Sequence, residues 1–352
     1  LILISREERG FMMKLNNRLS GAGRVSSAWR ALASAGVLTL LAALPLQSMA
    51  QAADETLDRV LVGVELREGT NMAAAVAPDG NSLMINVQGV MWSIPRIGGD
   101  AEELTPAEMD AYEPAWSPDG SLVSFYAYTE DSFSIWMMNA DGTERVQLTD
   151  SVHDARYPSF SVDGGSIYYS SDADGGYGIW VVNLADGTHE KVIDASEVGY
   201  VRPESPRFSG NGNAVYPVES PDGAALAFVI DGPQSQLATR DSDSGEIRTL
   251  FEAGLLGAPM WSADGTSLYV VAIDDQQAQL VRVSLIDERV ETLVEGGDIF
   301  PFRPSLAPDG IVYYTADGGI RSLAADGTPG DSVEFSAYVV LDRTPYTRRS
   351  YD

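Results

Sequence analysis

Short apolar runs recur along this chain: "SLMINV" (82–87), "LVSFYAY" (122–128), "SIYYSS" (166–171), "ALAFVI" (225–230), "SLYVVAI" (267–273) and "IVYYTA" (311–316). They are rich in Tyr, Val, Ile and Phe and bounded by Gly and Asp, which predicts β-strands. No segment beyond residue 52 keeps a helical period over three turns, so the expected class is all-β.

An Asp-Gly turn precedes each run. "EPAWSPDG" (113–120) is repeated as "YPSFSVDG" (157–164), "YPVESPDG" (216–223), "APMWSADG" (258–265) and "RPSLAPDG" (303–310), and "AAAVAPDG" (73–80) keeps its second half. In Ser117-Pro118-Asp119-Gly120, Pro presets φ at the second position of a type I turn and Gly takes a left-handed conformation, which predicts a tight hairpin. The repeat aspartates stand at 79, 119, 163, 222, 264 and 309, separated by 40, 44, 59, 42 and 45 residues. Pro114, Pro158, Pro217, Pro259 and Pro304 each lie five residues before one of them. A proline there cannot donate to a ladder and must start a strand or face an edge. Periods of 40–50 residues with β content point to propeller blades.

Each unit carries further strands. Trp92, Trp136 and Trp180 are spaced 44 residues apart in "MWSIP", "IWMMN" and "IWVVN"; "QLATR", "QLVRV" and "GIRSL" take the same place later. A second turn and a last short run ("EELT", "VQLT", "EKVID", "RTLFE", "ETLVE") follow. The expected architecture is a six-bladed β-propeller of four-stranded antiparallel blades over 53–332, closed so that no sheet edge is exposed. Val76, Trp116, Phe160, Glu219, Trp261 and Leu306 sit three residues before each Asp and are expected to pack between neighbouring sheets, with Glu219 breaking the pattern. The surplus "VRPESPRFSGNGN" (201–213) reads as an insertion between blades three and four, the alternative being that "RFSGNG" is the true turn. Of the two candidates for the outer strand of the last blade, "DRVLVGVEL" (58–66) is favoured over "DSVEFSAYVVL" (331–341).

Composition adds a compartment. Residues 12–52 run from Lys14, Arg18, Arg24 and Arg30 through an apolar stretch, Ala31 to Leu46, to "SMA" and "AQA". That is the pattern of a cleaved signal peptide, and the apolar run of 16 residues is short for a membrane span of about 20. The chain is expected to be periplasmic or secreted. Its formal charge is −28; the first 52 residues hold six Arg or Lys and two Asp or Glu, leaving 17 basic and 49 acidic side chains beyond them. Such a surface repels nucleic acid and anionic lipid. Cysteine is absent, which excludes disulfides and thiolate chemistry.

The residues offer little catalytic chemistry. The two histidines, His153 and His189, form no His-x-His pair and read as exposed loop residues. No Gly-x-Ser-x-Gly elbow occurs. "SDADGG" (171–176) and "DSDSGE" (241–246) are better hairpin turns than calcium loops. No catalytic residue, metal ligand or cofactor is therefore assigned to this segment. The loops entering each innermost strand carry aromatic and Arg residues, which are favoured in binding hot spots. Tyr112, Glu113, Arg156, Tyr157, Arg202, Phe302 and Arg303, together with Glu204, are the candidate partner-binding residues at the channel mouth. Arg156, Tyr157 and Arg303 are the candidates for recognising a carboxylate or peptide.

Six Asp-Gly turns in register with the Trp and Leu-Thr signals resemble the TolB-type propeller repeat over residues 57–330. "REGTNMAAAVAPDG", "VMWSIPRIGGDAEELT" and "YEPAWSPDG" are similar to the propeller at the front of periplasmic proteins with a C-terminal amidohydrolase domain. "VEFSAYVVLDRTPYTRRSYD" (333–352) resembles the connector into that domain. The resemblance implies a non-catalytic propeller that filters or docks substrate for a metal-dependent hydrolase, in a chain that is a fragment of the whole. A divalent metal would belong to the hydrolase domain. The partner would be that domain or a periplasmic protein or peptide. The alternatives are a stand-alone TolB-like interaction scaffold, which lacks here the small α/β domain of its relatives, and the propeller of a prolyl-oligopeptidase-like peptidase.

Overall fold

The computed structural model describes residues 60–129, 131–150, 152–198 and 213–343, and these fall in one compact unit, Val60–Arg343. The expected signal segment, Arg202, Glu204 and most of the proposed insertion lie outside the described residues.

Six sheets repeat one plan. Their innermost strands are Ala74–Val76, Ala111–Trp116, Ala155–Phe160, Asn213–Glu219, Met260–Trp261 and Ser305–Leu306. Each pairs antiparallel, through the Asp-Gly hairpin, with a longer second strand: Ser82–Val87, Leu122–Thr129, Ser166–Ser171, Ala225–Asp231, Ser267–Asp274 and Val312–Ala316. The second strands are the apolar runs of the sequence. They read as continuous rather than alternating because both faces are covered, and Leu83, Met84, Ile85, Asn86 and Val87 are all buried. Third strands follow at Val90–Pro95, Ser132–Asn139, Gly178–Asn183, Ser235–Asp241, Gln277–Ser284 and Gly319–Leu323. Fourth strands follow in the first five sheets, at Glu102–Glu103, Val146–Gln147, His189–Ile193, Ile247–Ala253 and Val290–Glu295. The 59-residue spacing is resolved in favour of an insertion, since Asn213–Glu219 is an innermost strand and the turn after it carries Asp222.

Apolar faces meet pairwise between successive sheets. Met84 and Met91 of the first sheet pack with Phe125 and Met138 of the second, and Ile135 of the second with Ile167 of the third. Ile179 of the third meets Phe228 of the fourth, Val229 of the fourth meets Val270 of the fifth, and Val271 of the fifth meets Val312 of the sixth. Tyr313 and Ile320 of the sixth share a cluster with Leu83, Ile85 and Trp92 of the first. Burying a side chain such as Trp92 contributes about 4–6 kcal/mol before entropy, at about 25 cal/mol per Å2 over roughly 150–250 Å2.

The chain ends differ from the sequence expectation. Val60–Leu66 does not join the third strand of the sixth sheet. It pairs antiparallel with Phe335–Arg343, and Phe335 and Ser336 pair in parallel with Gly99 and Asp100. The edge of the sixth sheet is instead met by isolated bridges, Ile320 to Val333 and Leu323 to Pro329. The reason is apolar alternation: Phe335, Ala337 and Val339 point inward onto the cluster around Trp92 and Tyr313, while Tyr338 and Val340 are exposed. Residues 333–343, read from the sequence as the start of a connector, therefore carry a core-packed strand, and 344–352 lie outside the described residues.

Candidate functional site

A cavity of about 310 Å3 is lined by all six innermost strands, from Ala74 through Glu113, Tyr157, Glu219 and Met260 to Arg303. Three of those strands reach it in an unusual way. The ladder with the second strand slips between Tyr112 and Ala115, between Arg156 and Ser159, and between Val215 and Val218. At each slip the residue before the repeat proline turns left-handed: Glu113 at φ 46°, Tyr157 at φ 59° and Tyr216 at φ 59°. Such conformations cost about 1 kcal/mol or more for residues with a Cβ, and bulges of this kind re-aim side chains. The repeat proline sits inside each slip, where it has no N–H to offer the ladder.

The re-aimed side chains form one aromatic cluster. Tyr157 and Tyr216 meet with ring centroids 4.1 Å apart, and Tyr126 lies edge-on to Tyr157 at 5.5 Å. Tyr112 stacks on Tyr126 at 5.6 Å, and Phe133 completes the group. The Tyr126 hydroxyl donates to Glu113 Oε1 at 3.1 Å. Glu113 touches the cavity but is surrounded by protein atoms, and burial pushes its carboxyl up to about 7, against the pull of the Arg303 charge and the Tyr126 hydroxyl. Burial and the Glu113 charge in turn hold the Tyr126 and Tyr216 hydroxyls well above the ordinary phenol range.

Arg303 stands two residues before the sixth innermost strand and reaches the fifth and fourth sheets. Its Nε donates to the carbonyl of Pro259 at 3.1 Å and its Nη2 to the carbonyl of Pro217 at 2.9 Å. No carboxylate comes within ion-pair distance of it among the described residues. Burial brings its guanidinium down to about 10. The second carboxylate of the cavity, Glu219, is already committed: Oε2 accepts from Val162 N at 2.6 Å and Oε1 from the Tyr168 hydroxyl at 3.0 Å.

Glu219 thereby explains its departure from the sequence pattern. Trp116 Nε1 donates to Ala75 O at 3.0 Å, and Trp261 Nε1 to Val218 O at 3.1 Å. All three residues reach the innermost strand, or the turn after it, of the preceding sheet. The position was expected to pack between sheets. At Trp116, Glu219 and Trp261 it ties neighbours by a hydrogen bond, and Val76, Trp116, Phe160, Glu219 and Leu306 line both this cavity and a second one on the hairpin-turn side.

Of the residues singled out in the sequence, the structure brings Glu113, Tyr157 and Arg303 to one cavity. Arg156 is turned aside: it pairs with Asp154 at 2.6 Å and lies over the Phe133 ring at 4.1 Å. The Tyr112 hydroxyl is bonded to Asp110 at 2.7 Å, beside a separate cavity, and Phe302 packs edge-on against Phe300. Tyr126 and Tyr216 were missed. Tyr216 stands before Pro217 as Glu113 stands before Pro114, a signal that was available; Tyr126, on a second strand, had none. His153 and His189 are exposed, but His189 opens the fourth strand of the third sheet rather than lying in a loop; the two line one cavity of about 170 Å3, where the Tyr169 hydroxyl lies 2.9 Å from His189 Nδ1. Among the described residues no group of three or more His, Asp or Glu suits a metal ion, and no helix is long and apolar enough to cross a membrane.

Residues 97–215 match the family model of the TolB beta propeller domain. Among solved structures, TolB from Acinetobacter baumannii is 19% identical with a TM-score of 0.57, over 76% of this chain and 66% of that one. A candidate TolB from Agrobacterium tumefaciens is 18% identical with a TM-score of 0.57, over 79% of this chain and 91% of that one. A chain of a nidogen/laminin complex is 14% identical with a TM-score of 0.56, over 76% and 97%. No curated protein sequence matches the chain significantly.

Proposed function

We propose that this TolB-like β-propeller is a non-catalytic, exported recognition domain that binds a protein or peptide partner through the mouth of its central channel. The six repeated sheets and the shared apolar cluster of the first and sixth support a closed, six-bladed ring. In such a ring every innermost strand presents its leading residues to one opening, so a partner meets several loops at once.

One observation carries the reading: Glu113, Tyr157 and Tyr216 hold left-handed backbone at three successive innermost strands. Strain that a packed scaffold maintains in the same place three times is the mark of a functional surface rather than of stability. The aromatic side chains it presents, with Arg303 opposite, have the composition of a binding hot spot. One structural neighbour is a chain of a nidogen/laminin complex. Export to the periplasm rests on the basic, apolar and small-residue segments of residues 12–52. Service as the docking module of an amidohydrolase-type enzyme rests on the sequence phrases of the first unit, and a free-standing envelope scaffold uses the same channel.

The test is selection of peptides on the full chain from a random library, followed by titration. Bound peptides should protect the backbone of residues 111–116 and 155–160 from hydrogen exchange, and Tyr157→Ala and Tyr216→Ala should each weaken binding at least tenfold. Selected peptides that bind with unchanged affinity to both variants overturn the reading.

A further inference from the structure

Arg303 and Glu113 line the same cavity of about 310 Å3 yet do not touch. Arg303 is anchored by two backbone carbonyls, of Pro259 and Pro217, which fix its plane without neutralising its charge. Its Nη1 has no hydrogen-bond partner among the described residues. The guanidinium is partly withdrawn from water and lines the cavity, and its planar fork is shaped for a carboxylate. Glu113 does not complete it: its carboxyl is turned to the Tyr126 hydroxyl, and its backbone is held left-handed before Pro114. Glu219, the other carboxylate of the cavity, is spent on Val162 N and Tyr168.

We infer that the channel is a receptor for a free carboxylate group of the incoming partner, which pairs with Arg303 in the space between Arg303 and Glu113, with Tyr157 as a wall. The inference rests on the channel-mouth reading above and names the chemistry that it takes. A carboxylate arriving beside Glu113 adds a second negative charge to a low-dielectric site. Two carboxylates sharing a site cannot both stay ionised, so Glu113 must hold a proton in the complex. The groups that face Glu113 are Tyr126 from the neighbouring strand, Arg156 and Tyr157 from the third sheet, Tyr216 from the fourth and Arg303 from the sixth. Of these Glu113 is the one whose titration falls near neutral pH, where burial sets its carboxyl at about 7. Binding is therefore coupled to proton uptake, and affinity falls as pH rises through that value.

The probes are three blocked peptides titrated calorimetrically into the full chain. N-acetyl-trialanine carries a terminal carboxylate, its amide carries none, and N-acetyl-Ala-Glu-Ala-amide carries a side-chain carboxylate. At least one acidic peptide should bind ten times more tightly than the amide, and which one binds tells a chain terminus from an acidic side chain. Affinity should fall about tenfold per pH unit above 7 if one proton is taken up, and binding heats should differ between phosphate and Tris buffers by that proton. Glu113→Gln should abolish both effects while keeping binding, and Arg303→Gln should abolish binding. Should Arg303→Gln not fold, the wild-type comparison of acid with amide and the buffer dependence still decide. Equal binding of acid and amide, or binding with no proton uptake, overturns the inference. If library-selected peptides without any carboxylate occupy the channel, this inference falls and the recognition reading stands; if no peptide reaches the channel, both fall.

Discussion

Tyr157 and Tyr216 meet at 4.1 Å across two sheets, and each stands in left-handed backbone directly before a proline. The third such residue, Glu113, lies one sheet earlier. A motif that looked like a turn signal in the sequence thus also re-aims three side chains, two of which, Glu113 and Tyr157, line one cavity.

Glu113 should make the fold less stable as pH rises. Its folded pKa of about 7 lies above its ordinary value of 4.5, so the folded state holds more protons between those values. Stability is full below about pH 4.5, declines as pH rises through about 7, and is flat above. A tenfold change in proton affinity is worth about 1.4 kcal/mol, and contact with channel water reduces the effect, so the decline should amount to about 1–3 kcal/mol. Chemical denaturation from pH 5 to 8 should show it in the wild type and not in Glu113→Gln. Parallel profiles would remove the buried carboxyl from the account.

Trp116 should stabilise the contact between the first two sheets by its indole N–H as well as its area. Trp116→Phe keeps the ring and strands the carbonyl of Ala75, and should lower stability by about 1–2 kcal/mol. Trp116→Ala should cost about 3–5 kcal/mol. Urea titration of both variants measures the difference. Full stability in Trp116→Phe would mean that the hydrogen bond contributes nothing.

The turn aspartates should confer acid sensitivity. Asp79, Asp119, Asp163, Asp222, Asp264 and Asp309 all titrate below the usual carboxylate value. In Asp119 and Asp264, both held at about 2, the hydroxyl of the serine two residues earlier is the main cause, followed by the N–H two residues later. A depressed carboxyl contributes stability that is present above its unfolded value and is lost as pH falls through the folded one. The melting temperature should therefore drop between pH 4 and 2. Replacing Asp119 and Asp264 by Asn should lower it at pH 7 and flatten the acid limb. An unchanged slope would locate acid unfolding elsewhere.

Gly98 should be the weak point of the terminal ribbon. It sits at φ 89°, and a Cβ there would lie 2.3 Å from the carbonyl oxygen of Glu334. Backbone cannot swing away as a side chain can, so Gly98→Ala should cost at least about 2 kcal/mol. Amide exchange should quicken first at Gly99 and Ala101, which donate to Glu334 and Ser336. Gly63→Ala is the control: its clash is with the end of the exposed Tyr338 side chain, and it should cost far less.

The sequence by itself determined the repeating sheets, because the hairpin chemistry of Ser-x-Asp-Gly, the period between turns and the apolar runs are all local. Pro217 alone, by keeping its offset from Asp222, located the fourth innermost strand across a 59-residue gap. The residues entering the innermost strands also marked Glu113, Tyr157 and Arg303, which line one cavity, although Tyr112, Arg156 and Phe302, marked in the same way, do not. What only the tertiary structure decided depends on contacts between units that no local pattern encodes. Glu219 looked like a defect until Val162 and Tyr168 of the preceding sheet came to its carboxylate. Arg156 and Arg303 looked equivalent, but one meets Asp154 and the other meets only backbone carbonyls. The terminal strands chose each other over the sixth sheet because Phe335, Ala337 and Val339 found the cluster around Trp92. A repeat writes the same unit many times; which side chain faces which partner is set when distant units are brought together and charge and apolar area must be matched.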